Sequence, residues 1–349
     1  MTLDMRPYLT GEYPPISGRF RSNPEDFRVD ELPAYAPSGS GQHALIHIKK
    51  VGLSTGEAVR RVAEAAETNP SQAGYAGLKD KHAVTRQWIS LHKPDLQALH
   101  NAELEGIEIL ETKAHSRKLK TGHLRGNRFQ LCIRGTPADR DSDVQAILDR
   151  LQQKGVPNYF GEQRFGSRGE NLERARAWLV EGKRSPRDRF QRKFMVSTLQ
   201  SAAFNRWLAD RMNWNRWGSV VDGDLARKES TGGMFVVEDL TRDLERAAQF
   251  DISATGPMFG PRMRWPERVA REHEADLMQD QGLTEEVLGR MARIGPGTRR
   301  CERVPLADAA LRRAGDESIW VSFTLPAGAY ATVVLRELLK QGAAEGHSR

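Results

Sequence analysis

Cysteine is almost absent from this 349-residue chain: Cys132 and Cys301 are the only two, and they lie far apart. Two such positions make neither a disulfide framework nor a metal-ligand cluster, so a reduced, cytoplasmic chain is the simple expectation. No apolar run approaches the length needed to span a bilayer, which argues against a membrane partner. The first residues, Met1-Thr2-Leu3-Asp4-Met5-Arg6, are too polar for a signal peptide. Low-complexity tracts and internal repeats are missing too. A large charge of one sign is also lacking: 53 Lys and Arg against 46 Asp and Glu leave a net charge of +7. That excess suits a polyanionic partner without demanding one, so the distribution of charge matters more than its total. The length is enough for two domains, each with a sizeable core.

What is present is unevenly placed. Between Lys113 and Arg128, the residues Lys113, His115, Arg117, Lys118, Lys120, His123, Arg125 and Arg128 crowd together, with only Leu119 and Leu124 as bulky apolar groups. A charge run is usually a solvated face. Without compensating acids this one reads as a phosphate-contacting surface, because neutralising phosphates releases counterions. A second run, Lys183, Arg184, Arg187, Arg189, Arg192 and Lys193 with Phe190 and Phe194 among them, has the same nucleic-acid-facing character. Elsewhere one carboxylate, Asp80, sits between Lys79 and Lys81 in a turn opened by Gly77, ahead of an extended segment through Trp88, Ile89 and Leu91. Cationic neighbours favour a charged carboxylate, which is then available as a nucleophile or a base. The plain alternative is a solvated loop with a local Asx hydrogen bond. Val221-Asp222-Gly223-Asp224 pairs two carboxylates as a magnesium site would. Asp-Gly-Asp is also ordinary turn chemistry and no further acidic ligand is adjacent, so a turn is expected and no metal is required.

Periodicity supplies the framework. Ile46 and Ile48 alternate with His47 and Lys49 as in a half-buried strand. Ser54-Thr55-Gly56-Glu57 is a capping box that opens a helix with Val59, Val62, Ala63 and Ala66 on one face, packed behind the Asp80 turn. Phe129, Leu131 and Ile133 form one side of the cleanest strand, with Arg128, Gln130, Cys132 and Arg134 on the other. Ser142-Asp143-Val144-Gln145 opens a helix carrying Ile147, Leu148 and Leu151, and Gly155-Val156-Pro157 marks a boundary. Leu199, Ala203, Phe204, Trp207, Leu208 and Met212 share a helical stripe, which makes their aromatics core rather than a base-stacking platform. Gly295-Pro296-Gly297-Thr298-Arg299-Arg300 reads as a loop. Ile319, Val321, Phe323 and Leu325 form one face of a last strand, and Pro326-Ala327-Gly328 turns into a helix with Val334, Leu335, Leu338 and Leu339. Short alternating strands separated by helices, before residue 155 and after 304, fit an α+β domain on a mostly antiparallel sheet. Whether the two sets join is left open.

The run Gly77-Leu78-Lys79-Asp80-Lys81-His82-Ala83-Val84-Thr85-Arg86-Gln87 resembles the signature of the TruD family of pseudouridine synthases, which modify uridine thirteen of tRNA. Asn23-Pro24-Glu25-Asp26-Phe27, Gly126-Asn127-Arg128-Phe129, Val156-Pro157-Asn158-Tyr159-Phe160-Gly161-Glu162-Gln163-Arg164-Phe165-Gly166, Val221-Asp222-Gly223-Asp224 and Leu325-Pro326-Ala327-Gly328-Ala329-Tyr330-Ala331-Thr332 resemble further family blocks, in the family's order. The resemblance implies a pseudouridine-synthase catalytic domain made of residues 1–154 and 304–349, an inserted TRUD-type α/β domain of residues 155–303, and a cleft for RNA between them. It implies that Asp80 is the catalytic residue, that Phe27 lines the uridine pocket and that Asn127 contacts the substrate. Tyr330 stands where the family usually has phenylalanine; it keeps the pocket ring and adds a hydroxyl that needs a partner. Arg21 stands where related sequences commonly carry lysine, and with Lys79 and Lys81 it is expected to hold Asp80 ionised. The implied activity is isomerisation of uridine in tRNA by a monomer, without a cofactor, since the reaction involves no redox change and no net hydrolysis. Two other readings remain: an RNA-binding protein without catalysis, and a metal-dependent nuclease built on Asp222 and Asp224.

Overall fold

The Leu124–Arg134 strand is the hub of a nine-stranded sheet in a computed structural model that describes residues 6–166 and 169–340. The main order is Ala307–Arg313, Ser318–Pro326, Leu124–Arg134, Phe27–Pro33, Val84–His92, His43–Val51 and Ile107–His115. Arg19–Phe20 pairs beside Leu124–Arg134, and Gly74–Tyr75 beside Val84–His92. Every pairing is antiparallel except that of Phe27–Pro33 with Val84–His92. The late strand therefore does join the early ones: Ser318 lies opposite Arg134 and the register holds to Pro326 opposite Gly126. Ile319, Val321, Phe323 and Leu325 are all fully buried, together with Leu131 and Ile133. Because side chains alternate with a period of two, a slip by one residue would turn this set to solvent. Gly126 is needed where it stands, since a Cβ there would collide with the Leu325 carbonyl.

Helix Thr55–Ala65 starts at the expected box, with Ser54 Oγ accepting from Glu57 N and the Glu57 carboxylate accepting from Ser54 N at 2.8 Å. Its Ala58, Val59, Val62 and Ala63 pack with Ala66 on Ile46, Ile48, Ile89 and Leu91 of the sheet. Helix Asp141–Lys154 differs from expectation at its start. A 3-10 turn, Ala138–Arg140, leads into it, so Ser142 lies inside the helix instead of capping it. Asp141 takes the Arg313 guanidinium at 2.6 and 3.0 Å.

The chain divides into two compact units, one of residues 16–149 and 306–328, the other of residues 6–15, 150–305 and 329–340. The expected boundaries, 1–154 with 304–349 against 155–303, differ from this at both chain ends. The physical reason lies in helix Ala331–Leu339, whose Arg336 and Glu337 are buried charges that need partners. Arg336 donates to the carbonyls of Arg6 and Pro7, and Glu337 accepts from Leu9 N, Thr10 N and Thr10 Oγ1 at 3.1, 3.0 and 2.7 Å. Both ends of the described chain are thereby tied into the second unit.

That unit carries a four-stranded sheet in the order Met234–Val236, Leu225–Lys228, Ile252–Met258, Thr298–Cys301, antiparallel throughout. The α+β class thus extends to this unit, which the resemblance gave as α/β. Thr298–Cys301 is a strand where a loop was expected, because Arg299 is neutralised inside the unit by Glu274 at 2.6 Å and can sit in a ladder. Helix Arg189–Asn213 buries the anticipated stripe of Leu199, Ala203, Phe204, Trp207 and Leu208. Among the described residues, no helix is long and apolar enough to cross a membrane.

Candidate active site

Between Gly74–Tyr75 and Val84–His92 the backbone leaves the ladder, and side chains rather than strand pairing fix its path. Lys79 N donates to Thr55 Oγ1 at 2.8 Å. Lys79 Nζ donates to Glu31 Oε2 at 2.5 Å, in an ion pair whose side chains are 5 % and 1 % exposed. Lys50 Nζ donates to the carbonyls of Leu53 at 2.6 Å and Asp80 at 2.9 Å. The Asp80 carboxylate accepts from Arg21 Nη2 at 2.8 Å and from His82 N at 2.9 Å. The local Asx hydrogen bond is therefore present, and so is the charge pair. Asp80 keeps 24 % of its side chain exposed, enough to be reached from outside.

Of the three cations expected around Asp80, Arg21 makes the contact. Lys79 is committed to Glu31, and the exposed Lys81 forms no ion pair with Asp80 among the described residues. Arg21 has φ 61°, in the left-handed region that non-glycine residues rarely adopt. Its guanidinium lies 4.4 Å over the Phe27 ring on its way to the carboxylate. Burial lowers the Arg21 pKa while Asp80 pushes it back up; a guanidinium stays charged under either influence. Phe27 is 5 % exposed, with Arg21 above it and Phe129 stacked at 6.3 Å, so its ring forms a floor beneath the ion pair. Asn127 lies across the ladder from Glu31, the residue that holds Lys79. Its Oδ1 is buried and has no hydrogen-bond partner among the described residues, and neither has Arg21 Nε. A buried acceptor without a donor costs free energy, which a ligand N–H or O–H would recover.

The family model for tRNA pseudouridine synthase D (TruD) matches residues 2–185 and 188–338. The chain belongs to the TruD family. It is 43% identical to a tRNA pseudouridine synthase D of Anaeromyxobacter sp. (strain Fw109-5) over 97% of each chain. It is 42% identical to one of Thermus thermophilus, over 96% of this chain and 92% of the relative. The fold matches the crystal structure of a putative tRNA pseudouridine synthase D from Methanosarcina mazei with a TM-score of 0.75, covering 96% of each chain at 20% identity.

In this TruD chain Tyr330 belongs to the second unit, where it is the N-cap residue of helix Ala331–Leu339. Its half-buried ring stands 6.0 Å from Phe160 at 61°. The first basic run is thinner than its sequence suggested. His115 is buried, accepts from Ser38 N through Nδ1 at 3.1 Å and stacks on Tyr35, and His123 shares a 2.7 Å hydrogen bond with the Tyr35 hydroxyl. Arg117, Lys120, Arg125 and Arg128 remain exposed. In the second run Lys183, Arg184, Arg187, Arg189, Lys193 and Phe190 are exposed, the last by 74 %, Arg192 and Phe194 are half-buried, and Asp188 caps the helix by accepting from Gln191 N at 2.7 Å. Asp224 is buried against Arg211 Nη1 at 3.0 and 3.2 Å and accepts from Val221 N, while Asp222 accepts from Arg268 at 2.8 Å. Both carboxylates of the proposed nuclease centre are thus committed to arginines in a turn. The residue that the motif reading missed is Lys50. Its parity with Ile46 and Ile48 puts it on the buried side of the strand, and that was the available signal.

Proposed function

We propose that this TruD-family chain is a tRNA pseudouridine synthase that isomerises uridine at position 13, with Asp80 as its reacting carboxylate. The observation that carries the reading is the Asp80 side chain, partly open to solvent and held in an ion pair with Arg21 at 2.8 Å, within the family's own motif. Pseudouridine formation breaks the ribose C1′ to uracil N1 bond, turns the base and joins C1′ to C5; N1 gains a proton and C5 loses one. A charged carboxylate serves this as a nucleophile on sugar or base, or as the base that starts a glycal route. Arg21 donates to this carboxylate, and the orphaned Asn127 Oδ1 offers an acceptor to uracil N3–H or a ribose hydroxyl. For Tyr330 the pocket role rests on the resemblance alone, and Tyr330→Ala is the variant that tests it. A uridine inside a helix is out of reach and has to be extruded, at a cost of a few kcal/mol. The exposed arginines and lysines of the two basic runs supply backbone contacts that offset this.

The test is tritium release from [5-³H]uridine-labelled, unmodified tRNA. Asp80→Asn keeps the shape and removes the charge, so kcat is expected to fall by about 10²–10⁴-fold or more while tRNA affinity is retained. A variant as fast as wild type would remove Asp80 from the reaction. Retained binding with no product from either protein would leave only an RNA-binding protein.

A further inference from the structure

We infer that Lys50 is a positioning residue of the pseudouridine reaction: its buried ammonium clamps the backbone carbonyl of Asp80 and so sets where the reacting carboxylate stands. This rests on the function proposed above. Lys50 ends the buried side of strand His43–Val51, and no part of the residue reaches solvent. Its Nζ spans two loops, taking the Leu53 carbonyl at 2.6 Å just before helix Thr55–Ala65 and the Asp80 carbonyl at 2.9 Å. Around it the sheet is polar where a core would be apolar. Thr85 is its register partner, Gln87 lies two residues further on, and both are fully buried. Thr55 Oγ1 bridges Lys79 N at 2.8 Å and Gln87 Oε1 at 3.2 Å, so the residue before Asp80 is pinned to the same cluster.

A buried lysine and three buried polar residues are costly for a fold to keep. Here Lys50 and Thr55 reach the irregular backbone at Asp80 and Lys79, and Gln87 accepts from Thr55. A carboxylate poised for attack on a sugar or base carbon loses rate steeply when it is misplaced by about 1 Å. The charged groups facing the ammonium are Asp80, Lys79 and Glu57. Burial lowers its pKa to about 8, with Asp80 and Glu57 pulling it up and Lys79 pushing it down. The clamp therefore weakens as the solution becomes alkaline.

The experiment compares wild type with Lys50→Met and Lys50→Gln on unmodified tRNA, reading kcat, KM and tRNA affinity from about pH 6 to about pH 9.5. Wild-type kcat is expected to decline above about pH 8. Folded Lys50→Met is expected to lose about tenfold or more in kcat, with KM and tRNA affinity unchanged and the alkaline limb gone. Undiminished kcat in a folded variant, losses confined to KM, or wild-type kcat that stays flat to the alkaline end would each overturn the assignment. Hydrogen–deuterium exchange over residues 77–83 reads the clamp without activity, and exchange no faster in either folded variant than in wild type would also overturn it. Wild type that makes no pseudouridine would strike the proposed function instead, leaving the clamp to be judged by exchange. Should neither variant fold, the wild-type pH profile decides.

Discussion

Arg21 performs two tasks at once: its planar guanidinium covers Phe27 at 4.4 Å and donates to Asp80 at 2.8 Å, a geometry a lysine would not reproduce. A hydrogen bond to a charged group contributes about 1.5–3 kcal/mol, so Arg21→Ala is expected to lower kcat by about 10–100-fold, with Arg21→Lys between it and wild type. Steady-state pseudouridine formation measures this, and an alanine variant at full rate would show the pair to be dispensable. Asp80, Phe27 and Asn127 were singled out as candidates by their motifs. Which of the three named cations pairs with Asp80 was not legible, because Lys79 and Lys81 stand nearer to it in the chain than Arg21. Sequence proximity gave two donors for one carboxylate, Lys79 and Lys81, and the family resemblance a third, Arg21. The buried Glu31 removes Lys79 from the set, and the left-handed backbone at residue 21 brings in a donor from 59 positions away.

At the scale of the element, the Asp80 turn is held chiefly by pairs reaching it from two strands and a helix. The Glu31–Lys79 pair is the most buried of these, and Glu31 Oε1 also accepts from Trp88 N at 3.2 Å. Lys79→Met leaves a charge buried without its partner, which is expected to cost about 3–5 kcal/mol in denaturant unfolding. Adding Glu31→Gln should restore most of that loss, because the uncompensated charge is then gone. No recovery in the double variant would mean that Lys79 acts through its packing. The strands and the capped helix around the turn were readable from alternation and from the Ser54–Glu57 box, both of which are local signals. Thr298–Cys301 was not, because Arg299 and Arg300 look solvated until Glu274 and Asn158 are seen beside them.

For the molecule as a whole, stability should depend on acidity through His273. Burial lowers its pKa to about 4, with Arg211 and Arg216 adding to the effect and Asp276 opposing it, and its ring packs 4.4 Å from Trp214. The unfolded imidazole, with its ordinary value of 6.5, takes up a proton in a range where the folded one stays neutral. Protonation thus favours the unfolded chain, and stability falls as pH drops from 6.5 towards 4. The fall in Tm between about pH 7 and about pH 5 is expected to be smaller in His273→Phe than in wild type, and an equal fall would exclude His273 as a cause. By itself the sequence determined the α+β class, most strands and helices, the basic runs and the position of the candidate carboxylate, because periodicity, caps and motifs are carried by neighbours along the chain. Only the tertiary structure decided that Arg21 pairs with Asp80, that Lys50 lies beneath it, that Asp224 is spent on Arg211, and that residues 6–15 and 329–340 group with residues 150–305. Those outcomes depend on which charges meet once the chain has folded, and a buried charge is settled by its nearest partner in space, whatever the separation in sequence.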